Sequence, residues 1–250
     1  TIDFQKITVR QGLSHSFVNA IAQDVNGAIW LATVEGMDRY DGYTVDNYAN
    51  DDFIPKCKEI SSLLNVGKNL YVGTNGGIYK FDSNSDGFKL INEAEQTIGS
   101  VNNFYHSIDS IAFVCSKKGL FIINNNDTFT ELLKNVNVRT ITNYKSNVYF
   151  VALDQKILMI NRLGEVLKEY HYPSRPNSPS LSGYYLDPIL FRDKQGVIWL
   201  GTLKGLFKYN TVSDSFVNVQ FTKMSNQLEA NVIRAIAEDK NNQLWIGTEF

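Results

Sequence analysis

Short apolar runs separated by glycine-bearing turns recur along this chain, and the clearest stands at residues 192–210, RDKQGVIWLGTLKGLFKYN. Asp193 and Gly196 bracket a first turn, one through a side chain that bonds nearby backbone and the other through its tolerance of positive φ. Residues 197–202 form an apolar run rich in β-formers. The run breaks at Lys204-Gly205 and resumes as Leu206-Phe207-Lys208-Tyr209. This pattern predicts two strands joined by a tight turn. A lone hairpin cannot bury its own faces, so copies have to stack.

Copies align on the aromatic of the run: Trp30, Tyr71, Phe113, Tyr149, Trp199 and Trp245. The mean interval is about 43 residues, within the roughly 40–50 of propeller blades. Six places before these anchors stand Asp24, Asn65, Ser107, Asn143, Asp193 and Asp239, all able to bond a turn's backbone. Most blocks place a small residue two positions after the anchor.

Four strands fit into each of the earlier blocks. The blades are expected near 17–49, 59–92, 101–132, 137–170, 187–220 and 232–248, with residues 1–10 an N-terminal strand unpaired in its own block. In the fourth block Gln155 stands where the others carry Gly36, Gly77, Gly119 or Gly205, so its second turn must differ. Residues 171–185 (HYPSRPNSPSLSGYY) hold three of the five prolines and read as a long surface connection. No amphipathic helix is evident.

The second strand of each block is apolar on both faces (IWLA, LYVG, AFVC, VYFV, IWLG, LWIG). A sandwich strand with one wet face would alternate, whereas strands between neighbouring blades are covered on both sides. The fold class expected is therefore all-β: one partial β-propeller of four-stranded blades across residues 1–250, about five and a half blades of a parent seven-bladed ring. The last block holds only two strands, which reads as a fragment cut inside a blade.

Net charge of −2 and a pI near 5.9 give no basic face for nucleic acid or an anionic membrane. No long apolar span appears. Cys115 lies in an apolar strand and Cys57 at a non-equivalent position, so a buried free thiol is favoured over a disulfide. His15, His106 and His171 lack metal spacing. Asp-x-x-Gly-x-x-Trp at 24–30 and 193–199 is superficially like the Asp box of sialidase-like propellers, but the Asp–Gly spacing differs by one and the preceding Ser is missing; a structural turn is the simpler reading. Asp51-Asp52 and Glu93 with Glu95 sit in loop-like stretches where solvation is the default. Gly76-Gly77 is a hairpin turn with no helix after it to cradle phosphate. The stretch 12–16 lacks the second glycine of a nucleophile elbow. No catalytic constellation and no cofactor site are expected.

The first block reads Gly12-Leu13-Ser14, Val18, Ile21, Asp24, Gly27, Trp30, Thr33, then Gly36-Met37-Asp38-Arg39-Tyr40-Asp41-Gly42. This resembles the first blade of the two-component regulator propeller repeats. The fifth and sixth blocks match the repeat well, the second fairly, the third and fourth poorly. The resemblance implies the periplasmic sensor region of a hybrid two-component system of gut Bacteroidetes, an inner-membrane protein with a histidine kinase, a receiver and a DNA-binding module elsewhere in the parent chain. It implies detection of oligosaccharides from polysaccharide breakdown, with the rest of the sensor region and a second copy in a homodimer as partners. A propeller enzyme acting on polysaccharide, lyase or glycosidase, and a purely structural or interaction propeller are the alternatives.

A ligand site is expected where loops converge on one face of the ring. Turns between second and third strands carry Glu35, Asn75, Lys117-Lys118, Asp154 and Lys204, and the connections between blades carry Phe53, Arg175, Tyr184 and Tyr185. Sugars are gripped by aromatic faces and by charged or amide groups reading hydroxyls. Glu35, Lys118, Arg175, Tyr184, Tyr185 and Lys204 are the candidate ligand-binding residues, and Arg39 is expected to pair with a carboxylate.

Overall fold

The computed structural model describes residues 6–48, 59–91, 97–171, 188–219 and 232–248. It is built of antiparallel sheets in which each strand pairs with the next in sequence. The first sheet comprises β1 (Val18–Gln23), β2 (Ile29–Thr33), β3 (Gly36–Tyr40) and β4 (Val45–Asn47). The second comprises β5 (Ile60–Val66), β6 (Asn69–Thr74), β7 (Gly77–Asp82) and β8 (Gly87–Leu90). The third comprises β9 (Val101–His106), β10 (Ala112–Ser116), β11 (Gly119–Ile123) and β12 (Phe129–Lys134). The fourth holds β13 (Val138–Lys145), β14 (Val148–Leu153), β15 (Lys156–Asn161) and β16 (Val166–His171). The fifth holds β17 (Ile189–Arg192), β18 (Ile198–Thr202), β19 (Gly205–Asn210) and β20 (Ser215–Asn218). The sixth has two strands among the described residues, β21 (Ile233–Glu238) and β22 (Leu244–Thr248). The first five are four-stranded blades of a β-propeller, and the sixth repeats their first two strands.

The blades fall into two compact units. The first, Thr1–His106 with Ile111–Asn135, contains the first three sheets. The second, Ser107–Ser110 with Val136–Phe250, contains the other three.

Within the first unit the apolar second strands are covered on both faces, as their sequence requires. Trp30 is 1% exposed and packs with Tyr48, Phe81 and Phe88, ring centroids 4.9–5.7 Å away. Burying a ring of that size removes roughly 200 Å² from water, roughly 5 kcal/mol before entropy is charged. Between the second and third sheets, Leu64, Tyr71 and Ile78 meet Val101, Phe104 and Phe121. Gly73 allows that approach: a Cβ there would lie 2.6 Å from Val101 Cγ1. In the second unit Phe150, Tyr170, Leu190, Leu200, Phe207 and Tyr209 form the matching core.

Three expectations need correction. Residues 6–8 are not strand, and Val9–Gln11 is a short 3-10 helix. Thr8 caps it by accepting the Arg10 N–H, Gln11 reaches back to the Thr8 N–H, and Gly12 ends it at φ 104°. The local caps outcompete the alternating pattern; residues 1–5 lie outside the described set. Second, the fourth anchor is Phe150, not Tyr149. Ala152 pairs with Thr140 as Ala32 pairs with Ala20 and Gly73 with Ser62, and the aromatic two places earlier is Phe150. Third, Lys156 rather than Gln155 heads β15, at the place of Gly36, Gly77, Gly119 and Gly205. Of the expected connection 171–185, only His171 is described, as the end of β16.

Candidate functional site

The turn between second and third strands is built the same way in four sheets. A hydroxyl at the end of the second strand donates to the carbonyl of the glycine three residues on: Thr33 to Gly36 (3.1 Å), Thr74 to Gly77 (3.0 Å), Ser116 to Gly119 (3.2 Å) and Thr202 to Gly205 (3.1 Å). The same oxygen accepts the N–H of the residue two places on, which is Glu35, Gly76, Lys118 or Lys204 at 3.0–3.2 Å. Both hydrogen bonds are local, so a Thr/Ser-x-x-Gly segment makes the turn whatever its middle residues are. Of those middle positions, Val34, Glu35, Asn75, Lys117, Lys118 and Lys204 are exposed, and Gly76 and Leu203 are half-buried.

Three of the candidate ligand residues therefore share one structural position. Glu35 and Lys118 occupy it in the first and third sheets of the first unit, and Lys204 in the fifth sheet. The Lys118 stem runs over Gly99, where a Cβ would sit 3.2 Å from its Cε. The fourth sheet, lacking the glycine, differs as expected: Asp154 accepts from Arg139 Nε at 2.5 Å and from Asn137 at 3.3 Å, the Arg139 side chain being largely buried. Arg175, Tyr184, Tyr185 and Phe53 lie outside the described residues.

At the opposite strand ends the Asp-x-x-Gly-x-x-Trp segments are structural. Asp24 accepts the N–H groups of Asn26 and Ala28 at 2.9 and 3.1 Å and the Trp30 indole N–H at 3.0 Å. Asp193 does the same for Val197 and Trp199, both at 2.8 Å, and Asp239 for Asn241, Gln243 and Trp245. Arg39 pairs with Asp24 at 3.8 Å and lies over the Trp30 ring, the carboxylate pairing expected of it.

One recurring group escaped the sequence reading. The turn before the fourth strand carries Asp86, Asp127 and Asp214, each in the left-handed region (φ 46°, 60° and 47°), which a short polar side chain tolerates. Each accepts from a tyrosine of the preceding sheet: Tyr48 at 3.1 Å, Tyr71 at 2.7 Å and Tyr170 at 2.8 Å. Asp127 also holds Lys80 at 2.8 Å, while Asp214 takes Tyr209 at 2.6 Å and Lys168. Burial first, then the facing carboxylate, pushes the Tyr48 and Tyr170 hydroxyls up to about 12. The Lys168 bond, followed by the two tyrosines, holds Asp214 down to about 2. The signal was present as Asp-x-Phe at 86–88, 127–129 and 214–216.

Among the described residues no group of His, Cys, Asp and Glu is placed to hold a metal ion, and no helix is long and apolar enough to cross a membrane. His15 Nδ1 accepts the Phe17 N–H at 3.0 Å. Cys115 is a buried free thiol, its acidity suppressed by burial.

Residues 12–35 and 227–250 match the two component regulator propeller family. No curated protein matches the chain. The fold is similar to the extracellular domain of the hybrid two component system BT3049 from B. thetaiotaomicron, with 22% identity and a TM-score of 0.75 over 98% of this chain and 34% of that one. It is also similar to the extracellular domain of BT4673 from the same organism, at 16% identity and TM-score 0.60, covering 96% of this chain and 38% of that one. Virginiamycin B lyase from Staphylococcus aureus shares the fold at 13% identity and TM-score 0.66, covering 92% and 77%. The chain thus spans about a third of the length of the two-component relatives. The chain is thus a β-propeller whose first and last sheets match the two component regulator propeller model, over residues 12–35 and 227–250.

Proposed function

We propose that this chain is an extracytoplasmic ligand-sensing module of a hybrid two-component signalling protein, detecting oligosaccharides released by polysaccharide breakdown and controlling kinase output and transcription through the parent chain. The observation that carries the reading is the repeat match at residues 12–35, joined to a fold like that of two such extracellular domains. On this reading the module is periplasmic, in an inner-membrane protein whose kinase acts elsewhere, and it signals as a homodimer without itself being an enzyme. It is one partial propeller of the larger sensor region.

The uniform turn supports a role for Glu35, Lys118 and Lys204 in reading sugar hydroxyls. Its scaffold is fixed by Thr/Ser and Gly, leaving the exposed residue between them to be chosen for recognition. Arg175, Tyr184 and Tyr185 are proposed as further contacts. Calorimetry of the complete sensor region against a panel of glycan fragments is the test, with a saturable binder expected. Lys118→Ala and Lys204→Ala should each weaken it about tenfold, the scale of one lost charge-assisted hydrogen bond. A panel with no binder overturns the reading.

The likeness to virginiamycin B lyase keeps a second reading in view, a propeller lyase or glycosidase. Turnover of any panel glycan by the isolated region would favour it.

A further inference from the structure

Asp38 is fully buried on the face of the first sheet opposite Met37 and Arg39, and the segment 12–14 covers it. Its Oδ2 accepts the Ser14 backbone N–H at 2.9 Å, and its Oδ1 is hydrogen-bonded to Ser14 Oγ. The same Ser14 Oγ lies 2.7 Å from Asn47 Oδ1. Asn47 is fixed in that orientation because its Nδ2 donates to the Gly12 carbonyl at 2.9 Å. Leu13, between these anchors, is buried.

Counting hydrogens decides the protonation state. A serine hydroxyl has one hydrogen. With Asp38 ionised, Ser14 Oγ would face two acceptors, Asp38 Oδ1 and Asn47 Oδ1, and could satisfy one. With a proton on Asp38 Oδ1 the chain closes: Asp38 donates to Ser14 Oγ, Ser14 donates to Asn47 Oδ1, and Asn47 donates to Gly12.

Among the described residues, the surrounding charges offer an ionised Asp38 no help. β1 and β2 contain no ionisable side chain. On β3, Arg39 points to the other face, toward Asp24 at 3.8 Å and toward Asp46 of β4 at 4.0 Å. Tyr40 donates to the Gly42 carbonyl. In the covering segment, His15 accepts the Phe17 N–H, and Lys6 and Arg10 are exposed, as is Glu35 at the β2–β3 turn.

We propose that Asp38 is a carboxylic acid in the closed clasp, and that release of its proton to water opens the 12–14 segment, making the start of the repeat a proton-controlled latch. Burial supports this by raising Asp38 above the ordinary aspartate range, an effect its Ser14 bonds only partly offset. The sign follows from linkage. A carboxyl raised in the closed state favours closure below the ordinary value of about 3.9, and the preference drains away as pH climbs through the raised value. Across that window the opening constant rises about tenfold per pH unit.

The test is NMR on the full chain between pH 3 and 8. The Asp38 carboxyl carbon should titrate above the other aspartates, and the Ser14 amide shift should follow with the same midpoint. Ser14 hydrogen exchange, corrected for its intrinsic pH dependence, should accelerate about tenfold per pH unit in the same window. Asp38→Asn supplies a permanent donor to Ser14 Oγ and a permanent acceptor for the Ser14 N–H, so its Ser14 amide should ignore pH. His15→Gln removes the neighbouring imidazole and should leave the midpoint in place. An Asp38 carboxyl titrating at or below about 3.9 overturns the latch. So does an Asp38→Asn protein whose Ser14 keeps its pH response. If Asp38→Asn does not fold, the wild-type titration decides alone.

Discussion

Gly201 lacks a side chain because the next sheet fills the space. A Cβ there would come 2.6 Å from Ile233 Cγ2 and 2.9 Å from Ile233 Cβ, while Gly27 would meet nothing closer than Gln23 Nε2 at 3.9 Å. The two positions therefore require glycine for different reasons, one by packing and the other by its φ of 90°. Gly201→Ala should cost about 1–3 kcal/mol through overpacking. Gly27→Ala should cost about 1–2 kcal/mol through left-handed backbone alone. Urea unfolding of Gly201→Ala with and without Ile233→Ala checks the packing, and an equal loss in both backgrounds would remove packing as the cause at Gly201. The small residue two places after each anchor was legible as a pattern. Its reason, the approach of a β-branched side chain from the neighbouring sheet, needed three dimensions.

Each element is set by a turn that its own few residues specify, which is why the blades could be read at all. In the fifth sheet, Asp193 ties Val197 N–H and the Trp199 indole to one carboxylate that is 5% exposed. Asp193→Ala would orphan both donors, and hydrogen bonds to charged groups set the expected loss at about 2–4 kcal/mol. Asp239→Ala, beside a Trp245 that is 43% exposed, should cost clearly less, since water can replace the lost acceptor. Chemical denaturation of the pair checks the order, and a reversed order would place the stabilisation elsewhere. Reading by count failed where a bulge intervened. A register shift between Asn143 and Lys145 adds one residue to β13, so counting six from Asn143 lands on Tyr149, one short of Phe150. Tyr149 instead donates to Asp109 at 3.1 Å, and the two adjacent aromatics cannot be told apart without that shift. The shared turn position of Glu35, Lys118 and Lys204 was legible because that turn is local. The Asp-x-Phe clamps were not, because each joins residues of different sheets, more than 30 apart in sequence.

For the molecule as a whole, lowered aspartates and raised tyrosines bound the pH range of stability from both sides. Asp82 and Asp214 are held down to about 2 by Lys89 and Lys168, and Asp41, Asp109 and Asp239 are lowered mainly by backbone N–H groups. A lowered carboxyl contributes stability above the ordinary value of about 3.9 and loses it as pH falls through the folded value. Asp38 works in the opposite direction, one against these five among the described residues. On the alkaline side Tyr48, Tyr149 and Tyr170 are raised to about 12, and Tyr71 and Tyr209 further, by burial first and then by the facing carboxylate. A raised phenol contributes stability below its ordinary value of about 10, lost as pH climbs through the folded value. The thermal midpoint should thus be flat between about pH 4 and 10 and fall on either side. Asp214 belongs to both limbs, because the oxygen that accepts Tyr170 and Tyr209 is part of the carboxylate held by Lys168. Asp214→Asn should therefore soften the acid and alkaline falls together, whereas Asp82→Asn, whose carboxylate is held by Lys89 and no tyrosine, should soften only the acid one. Calorimetric melts of the two variants from pH 2.5 to 11 make the comparison. An Asp214→Asn profile changed on one side only would mean that the clamp is not a single electrostatic unit.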